Sequence, residues 1–246
     1  YTTDWTVDAR RRDFTLNALY LTPDMKLFDP VGGAGDLAGR RVRFIGSAED
    51  RIREDYLRIL RFFRFSARFA AAFDADGLAA CGALKAGIGK LSAERVGDET
   101  MKILALPAAA RAVGAMAGSG VLAEIWPGPA STETLARMKA FAPDAAAPLG
   151  LAALWGEHGE GVDARLRLSN AEGERRRRAV SRAPAVVAEL TDRAIRALIY
   201  RFGVDGFRDA LTLARARSLQ PDAFARHASV AESFKPPPPP FSGHDV

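Results

Sequence analysis

The sequence predicts an α+β chain in which a small β-containing front of about 46 residues feeds a larger all-α body. Short strand-like runs separated by turn residues fill residues 14–46, apolar residues recur at helical spacing from about residue 48, and alanine-rich helical segments continue to about residue 232. A chain of 246 residues with 48% hydrophobic and 26% charged is ordinary globular material, long enough for one large domain or two small ones.

Taken in order, "FTLNALYLT" (14–22) reads as a strand, "TPDM" as a turn, "KLFD" (26–29) as a second strand and "RVRFIG" (41–46) as a third with period-2 alternation. Between them "DPVGGAGDL" (29–37) is a glycine-rich segment that reads as a flexible turn, with a hinge between front and body as its possible extra role. It lacks both GxGxxG and GxxxxGK[ST] spacing, so neither a dinucleotide fold nor a P-loop is supported. "AEDRIREDYLRILRFFRFSARFA" (48–70) is expected to form one long helix, followed by a short helix near 76–86. "LSAERVGDETMKILAL" (91–106) follows with Ser92 as N-cap, and "PAAARAVGAMAGSGVLAEI" (107–125) starts the body. Breaks are expected at Pro127–Pro129, Pro143–Pro148 and Gly159–Gly161, and "KPPPPPF" (235–241) reads as a polyproline linker.

Composition removes several classes of function. A single cysteine, Cys81, permits no intramolecular disulfide, and three scattered histidines give no Cys/His zinc cluster. No apolar run is long enough to span a bilayer and nothing at the start resembles a signal peptide, so a reducing cytoplasm is expected. The formal charge of +5 permits a polyanionic partner without demonstrating one. The chain opens on Tyr rather than Met and ends at "FSGHDV", and it reads as a piece of a longer polypeptide.

Chemistry concentrates in two places. In the expected helix over 48–70, Asp55, Arg58, Arg61, Arg64 and Arg68 follow one another by three or four positions and should share a face, with Glu54 able to pair with Arg58. The plain reading is a solvated stripe of intrahelical salt bridges. Against it, the stripe is narrow, bordered by aromatics and richer in arginine than in carboxylate. A carboxylate and a guanidinium one turn apart also offer an acceptor and a donor side by side, as reading a base edge requires. In "ARRRDFTLNALY" (9–20) the arginines followed by Asp13 and Asn17 are either a basic strand edge that guards against aggregation or a phosphate and ribose site. The basic run Arg175 to Arg178 is either a contact for RNA backbone or a solvated charged face.

The order RRDFTLNALY, DPVGGAGDL with RVRFIG, EDYLRILRFFRF and LSAERVGDETMKIL resembles the successive motifs of the class II tRNA nucleotidyltransferase and poly(A) polymerase family, which includes the CCA-adding enzymes. "GVLAEIWPG" (120–128) and "RLRLSNAE" (165–172) are similar to that family's body segments. The resemblance implies the rear part of a nucleotidyltransferase β head over 1–46, a neck over 47–106, a helical RNA-binding body over 107–234 and a linker over 235–246. It implies that Arg11, Arg12, Asp13 and Asn17 hold the sugar and triphosphate of an incoming nucleotide. Asp55 and Arg58 would pair with the Watson–Crick edge of CTP or ATP, with Glu54 bracing Arg58 and Arg61 facing the triphosphate. Asp29, Gly32, Gly33 and Asp36 would form the hinge, and Glu94 and Arg95 would support the reading helix. The partners implied are tRNA, CTP and ATP, with no membrane. The Mg²⁺ ions of the family's chemistry would sit on an upstream D-x-D pair that this chain does not supply, so no catalytic or metal residue is assigned here; "DADG" (74–77) has the spacing but reads as a turn. The alternatives are a poly(A) polymerase, an enzyme adding only CC or A, and a non-catalytic RNA-binding helical module.

Overall fold

Residues 4–235 and 237 are described by the computed structural model, and among them helix dominates from the first element onward. The front end is far less β-rich than its pattern predicts. It consists of α1 (Trp5–Ala9), a 3-10 turn (Thr15–Ala18), the two-residue strands β1 (Tyr20–Leu21) and β2 (Leu27–Phe28), and α2 (Gly33–Ala38). The strands pair antiparallel, Tyr20 opposite Phe28. The expected strand over 14–22 is mostly turn because Asp13 competes for its backbone. The Asp13 carboxylate accepts from Phe14 N at 3.0 Å and from Asn17 Nδ2 at 2.8 Å, while Asn17 N bonds back to Phe14 O at 3.0 Å. The expected strand over 41–46 shrinks to one isolated bridge, Phe14 opposite Phe44.

The glycine-rich segment is a capped helix rather than a flexible turn. Asp29 accepts from Gly33 N at 2.8 Å and Ala34 N at 2.9 Å, so its side chain serves the N-terminus of α2. A Cβ on Gly33 would lie 2.1 Å from Thr15 O, so only glycine lets α2 close onto the 3-10 turn. Asp36 is buried there, accepting from Thr15 Oγ1 at 2.7 Å and from Arg43 Nε at 3.0 Å, with Arg41 at 3.2 Å.

The long helix expected over 48–70 is broken into α3 (Ala48–Glu54) and α4 (Leu57–Phe69). Asp55 is extended at φ −156°, ψ 106°, and its Oδ1 accepts from Leu57 N at 3.1 Å. An aspartate that can bond a backbone N–H two residues on favours a helix start over a helix interior, and here that preference wins. Tyr56 anchors the break, its ring lying where a Cβ on Gly87 would stand.

The body runs α5 (Ala75–Ala83), α6 (Ala93–Leu104), α7 (Ala109–Gly118), α8 (Val121–Ile125), α9 (Thr132–Phe141), α10 (Ala147–Trp155), α11 (Val162–Arg165), α12 (Asn170–Arg182), α13 (Asp192–Phe202), α14 (Val204–Arg217) and α15 (Ala225–Ser233). Ser92 caps α6 as expected, accepting from Arg95 N. The helix expected over 107–125 splits at Gly120, which adopts φ 77°. α10 is apolar all round and buried from Pro148 to Trp155, packed between α6, α9, α12 and α14. α4 packs on α6 and α7, and its Leu60, Phe62 and Phe63 join Phe14 and Phe44 in the same core cluster as α10. Each such side chain contributes about 1.5–3 kcal/mol of burial. An unforeseen clamp closes α4: Arg111 of α7 donates to the carbonyls of Ser66, Ala67, Ala70 and Ala71, satisfying its C-terminus. The proline run and the tail expected over 236–246 lie outside the described residues apart from Pro237.

Candidate nucleotide-reading cleft

Three distant segments converge on one cleft of about 450 Å³: Arg11, Arg12, Asp13 and Asn17 from the front, Asp55, Arg58, Arg61 and Phe65 from the α3–α4 junction and α4, and Arg95 from α6. Most of the residues singled out from the sequence for nucleotide binding therefore meet in space. The geometry explains how each is held.

Arg58 is nearly immobilised. Its Nη1 donates to Glu54 Oε2 at 2.7 Å and to Arg51 O at 3.0 Å, its Nη2 to Arg11 O at 3.0 Å, and its side chain is 14% exposed. These bonds fix the guanidinium plane and leave the Nε–H without an acceptor among the described residues. Glu54 is thus the brace that the motif implies, and Arg51 at 2.5 Å holds Glu54 in turn. Asp55 presents its carboxylate from the helix break: Oδ1 is engaged by Leu57 N, Oδ2 by Arg95 Nη2 at 2.7 Å, and the group remains 32% exposed. A carboxylate has lone pairs for further acceptance after two bonds.

Arg61 joins front to neck, its Nε donating to Asp13 Oδ2 at 2.6 Å, and the Asp13 side chain is 7% exposed. Asp13 is therefore a structural ligand of Arg61 as well as a lining residue. Arg12 donates to Asp8 Oδ2 and to Asn17 O and lies 5.2 Å from the Tyr20 ring centroid. The Tyr20 hydroxyl and then Arg12 hydrogen-bond to Asp8 and hold its carboxyl below the usual carboxylate range. Arg11 is exposed and its guanidinium has no hydrogen-bond or ion-pair partner among the described residues, which leaves it available to an anion.

The other residues singled out from the sequence take different places. The four residues assigned to the hinge fix α2 on the front end and do not line the cleft. Of the two residues expected to support the reading helix, Arg95 reaches Asp55 at 2.7 Å, while Glu94 is exposed and lies 3.6 Å from Arg167. The arginine stripe does not act as one face: Arg64 pairs with the buried Glu99 of α6 at 2.6 Å, and Arg68 lies over Phe69. The run at 175–178 is exposed apart from Arg176, as a solvated face would be, and all four of its arginines are paired with carboxylates. Arg175 grips Asp209 of α14 at 2.7 and 2.9 Å, Arg176 and Arg177 both reach Asp163, and Arg178 pairs with Glu174. No group of three or more His, Cys, Asp or Glu side chains suited to a metal ion occurs among the described residues. Asp74 of the "DADG" segment caps α5 through Gly77 N at 2.9 Å.

The Poly A polymerase head domain family matches residues 1–43, and the family described as the probable RNA and SrmB-binding site of polymerase A matches residues 72–133. The chain is 46% identical over 107 residues to CCA tRNA nucleotidyltransferase 1, mitochondrial, from Mus musculus, covering 42% of this chain and 25% of that protein. It is 37% identical over 133 residues to the CCA-adding enzyme of Geobacillus stearothermophilus, covering 54% of this chain and 33% of that enzyme. In fold it resembles the Thermotoga maritima CCA-adding enzyme complexed with tRNA, with a TM-score of 0.70 at 21% identity over 98% of this chain and 64% of the other. The Bacillus stearothermophilus CCA-adding enzyme in complex with CTP gives 0.66 at 23% identity over 95% and 60%. The chain is thus similar, over its front end and part of its body, to poly(A) polymerase domains and to CCA-adding enzymes. It spans about a quarter to a third of the length of these curated relatives.

Proposed function

We propose that this chain provides the nucleotide-selecting junction and the RNA-binding body of a CCA-adding nucleotidyltransferase, which transfers CMP and AMP from CTP and ATP to tRNA 3′ ends. The observation that carries this reading is the placement of Asp55 and Arg58, from either side of a helix break, in one cleft with Arg11 and Arg12. Cytosine and adenine both present an exocyclic amine beside a ring-nitrogen acceptor. A carboxylate accepts from the amine and a guanidinium donates to the ring nitrogen, so Asp55 and Arg58 complement either base. Guanine and uracil present a carbonyl beside an N–H, which sets acceptor against acceptor and donor against donor. Because Glu54, Arg51 and Arg11 hold Arg58 in advance, little ordering cost falls on binding. Arg11 and Arg12 then neutralise the triphosphate, with Arg61 beside them.

The family's chemistry uses a divalent metal, Mg²⁺ in our reading, to activate the RNA 3′-hydroxyl and steady the pyrophosphate. The residues present do not form a donor set for it: the cleft's two carboxylates, Asp13 and Asp55, are both engaged by arginine. The role derived for this chain is selection and grip. For the RNA, α13 offers exposed Arg193, Arg196 and Tyr200 on one face, both arginines without an ion pair among the described residues. No described helix is long and apolar enough to cross a membrane, and the compartment we propose is cytoplasmic.

Calorimetric titration of the full chain with the four nucleoside triphosphates tests the assignment. CTP and ATP should bind at least about tenfold more tightly than GTP and UTP, and Arg58→Ala should remove most of that margin. Equal affinity for all four would refute base reading and leave the non-catalytic RNA-binding module as the better description.

A further inference from the structure

A second cleft, of about 460 Å³, opens where the start of α9 meets the C-terminal ends of α10 and α14. It shares no residue with the nucleotide-reading cleft. Two of its lining residues carry donors that nothing satisfies. Trp155 is 1% exposed, and its indole N–H has no acceptor among the described residues. Arg217, the last residue of α14, is half-buried and makes no ion pair or hydrogen bond among the described residues. The contrast with its neighbours is sharp: Arg137, Arg176 and Arg182, also withdrawn from solvent, each donate to a carboxylate or carbonyl. Burial pulls the Arg217 pKa below its ordinary value, with the charge of exposed Glu157 opposing, and a guanidinium nonetheless keeps its proton.

The backbone is shaped around this unpaired cation. Gly156 adopts φ 45°, and a Cβ built there would stand 2.8 Å from Arg217 Nη2. Only glycine both takes that conformation and leaves the guanidinium its place. Buried donors are almost always satisfied, and the exceptions call for a partner from outside the chain. A partner that satisfies a guanidinium fork must bring acceptors side by side and negative charge, which is the description of an oxyanion. The apolar wall of Pro129, Ala130 and Leu154 leaves room for an organic portion beside the anionic head.

We propose that this cleft binds a phosphate oxyanion, carried by a small phosphate ester or by the backbone of an RNA. The Arg217 guanidinium grips two of the phosphate oxygens, and Trp155, its indole N–H covered, forms part of the cleft wall beside them. Glu157, the one carboxylate among the lining residues, is exposed and stays hydrated.

Three tryptophans give three indole N–H signals, so the site can be watched directly by ¹H–¹⁵N correlation spectra of the full chain. Trp155→Phe assigns the signal. Inorganic phosphate titrated at constant ionic strength should move the Trp155 signal saturably and leave that of Trp5 in place. Arg217→Gln, whose side chain supports no described contact, should keep the remaining spectrum and weaken the affinity about tenfold or more. Gly156→Ala should weaken it likewise by displacing the guanidinium. A shift that never saturates, or equal affinity in Arg217→Gln, would overturn the proposal. Titration with AMP and with a short single-stranded RNA identifies the source: the one that displaces phosphate from the Trp155 signal is the carrier, and displacement by neither overturns the proposal.

Discussion

Cutting the tie between α4 and α6 has a cost that can be worked from its geometry. The Glu99 side chain is 4% exposed, and its carboxylate is held by Arg64 Nε at 2.6 Å, Arg64 Nη2 at 3.4 Å and Lys102 Nζ at 3.4 Å. Replacing Arg64 by Met keeps the apolar stem and removes the main counter-charge. Breaking a buried pair from one side costs about 3–5 kcal/mol. The lower end applies here, because Lys102 remains and the Arg64 side chain is itself 17% exposed, which lets water approach. A loss of about 3 kcal/mol lowers the melting temperature of a chain this size by roughly 6–12 °C. Urea denaturation followed by circular dichroism, with a scanning-calorimetry check, measures it. The decisive comparison is the double variant Arg64→Met, Glu99→Met, which removes both charges and should return to within about 1 kcal/mol of the parent. Arg95 sits on the same helix as Glu99 and pairs with Asp55. Arg64→Met should therefore also weaken CTP binding, although Arg64 does not line the cleft. A single variant costing under about 1 kcal/mol, or a double variant as unstable as the sum of its parts, would refute the reasoning.

Three further outcomes follow from the same geometry. Gly33→Ala should destabilise by about 1–3 kcal/mol in thermal melts, because its Cβ meets Thr15 O at 2.1 Å, whereas Gly35→Ala in the same helix meets nothing and should be neutral or slightly stabilising. Neutralising Arg193 and Arg196 together should weaken RNA binding across sequences and flatten its salt dependence by about two units of slope, while Arg175→Gln should lower stability and leave that slope unchanged, both read by filter binding and melting. The third concerns acid. Burial raises the pKa of Asp36, but bonds from Arg43 and Thr15 and the charges of Arg43 and Arg41 outweigh it and hold the carboxyl below its ordinary range. A folded-state value depressed in this way means that the contribution of Asp36 is complete above the unfolded value of about 3.9 and drains away as pH falls through the folded one. Asp36→Asn should thus lower the urea midpoint near neutrality and flatten its decline toward about pH 3.

What the sequence made legible was the part set by neighbours along the chain. Ser92 could be named as a cap because its acceptor and the amide it serves lie three residues apart. The alternation in "RVRFIG" correctly turns Val42 and Phe44 inward and Arg41 and Arg43 outward, yet a strand needs a partner, and here the pairing stops at Phe14 and Phe44. The break at Asp55 was hidden because apolar periodicity runs on through it. The aspartate's competition for a backbone amide interrupts the helix without interrupting the pattern. The residues that line the first cleft were legible through family motifs, whereas the Arg111 clamp on α4 and the unpaired Arg217 depend on contacts with distant segments that no local pattern encodes.

A chain with a formal charge of +5 invites the reading that its arginines mark where polyanions bind, and here most of them do something else. Arg43 holds Asp36, Arg61 holds Asp13, Arg64 holds Glu99, Arg111 closes α4, Arg137 reaches a carbonyl of α14, and Arg175 and Arg176 tie α12 to Asp209 and Asp163. In an alanine-rich body with small side chains, a long side chain with five donors is a means of joining helices that otherwise have little to interlock. An arginine already satisfied in this way must break a bond before it can bind a phosphate, so charge density in the sequence is a poor guide to the anion surface. Unpaired arginines are the better guide. Among the described residues Arg11 borders one cleft, Arg217 borders another, and Arg193 and Arg196 stand exposed on α13. Of these only Arg217 is withdrawn from solvent, where lacking a partner carries a free-energy cost that water does not offset. Removing its charge with Arg217→Gln should therefore raise the melting temperature while weakening phosphate binding about tenfold or more, a combination that a purely structural arginine would not give.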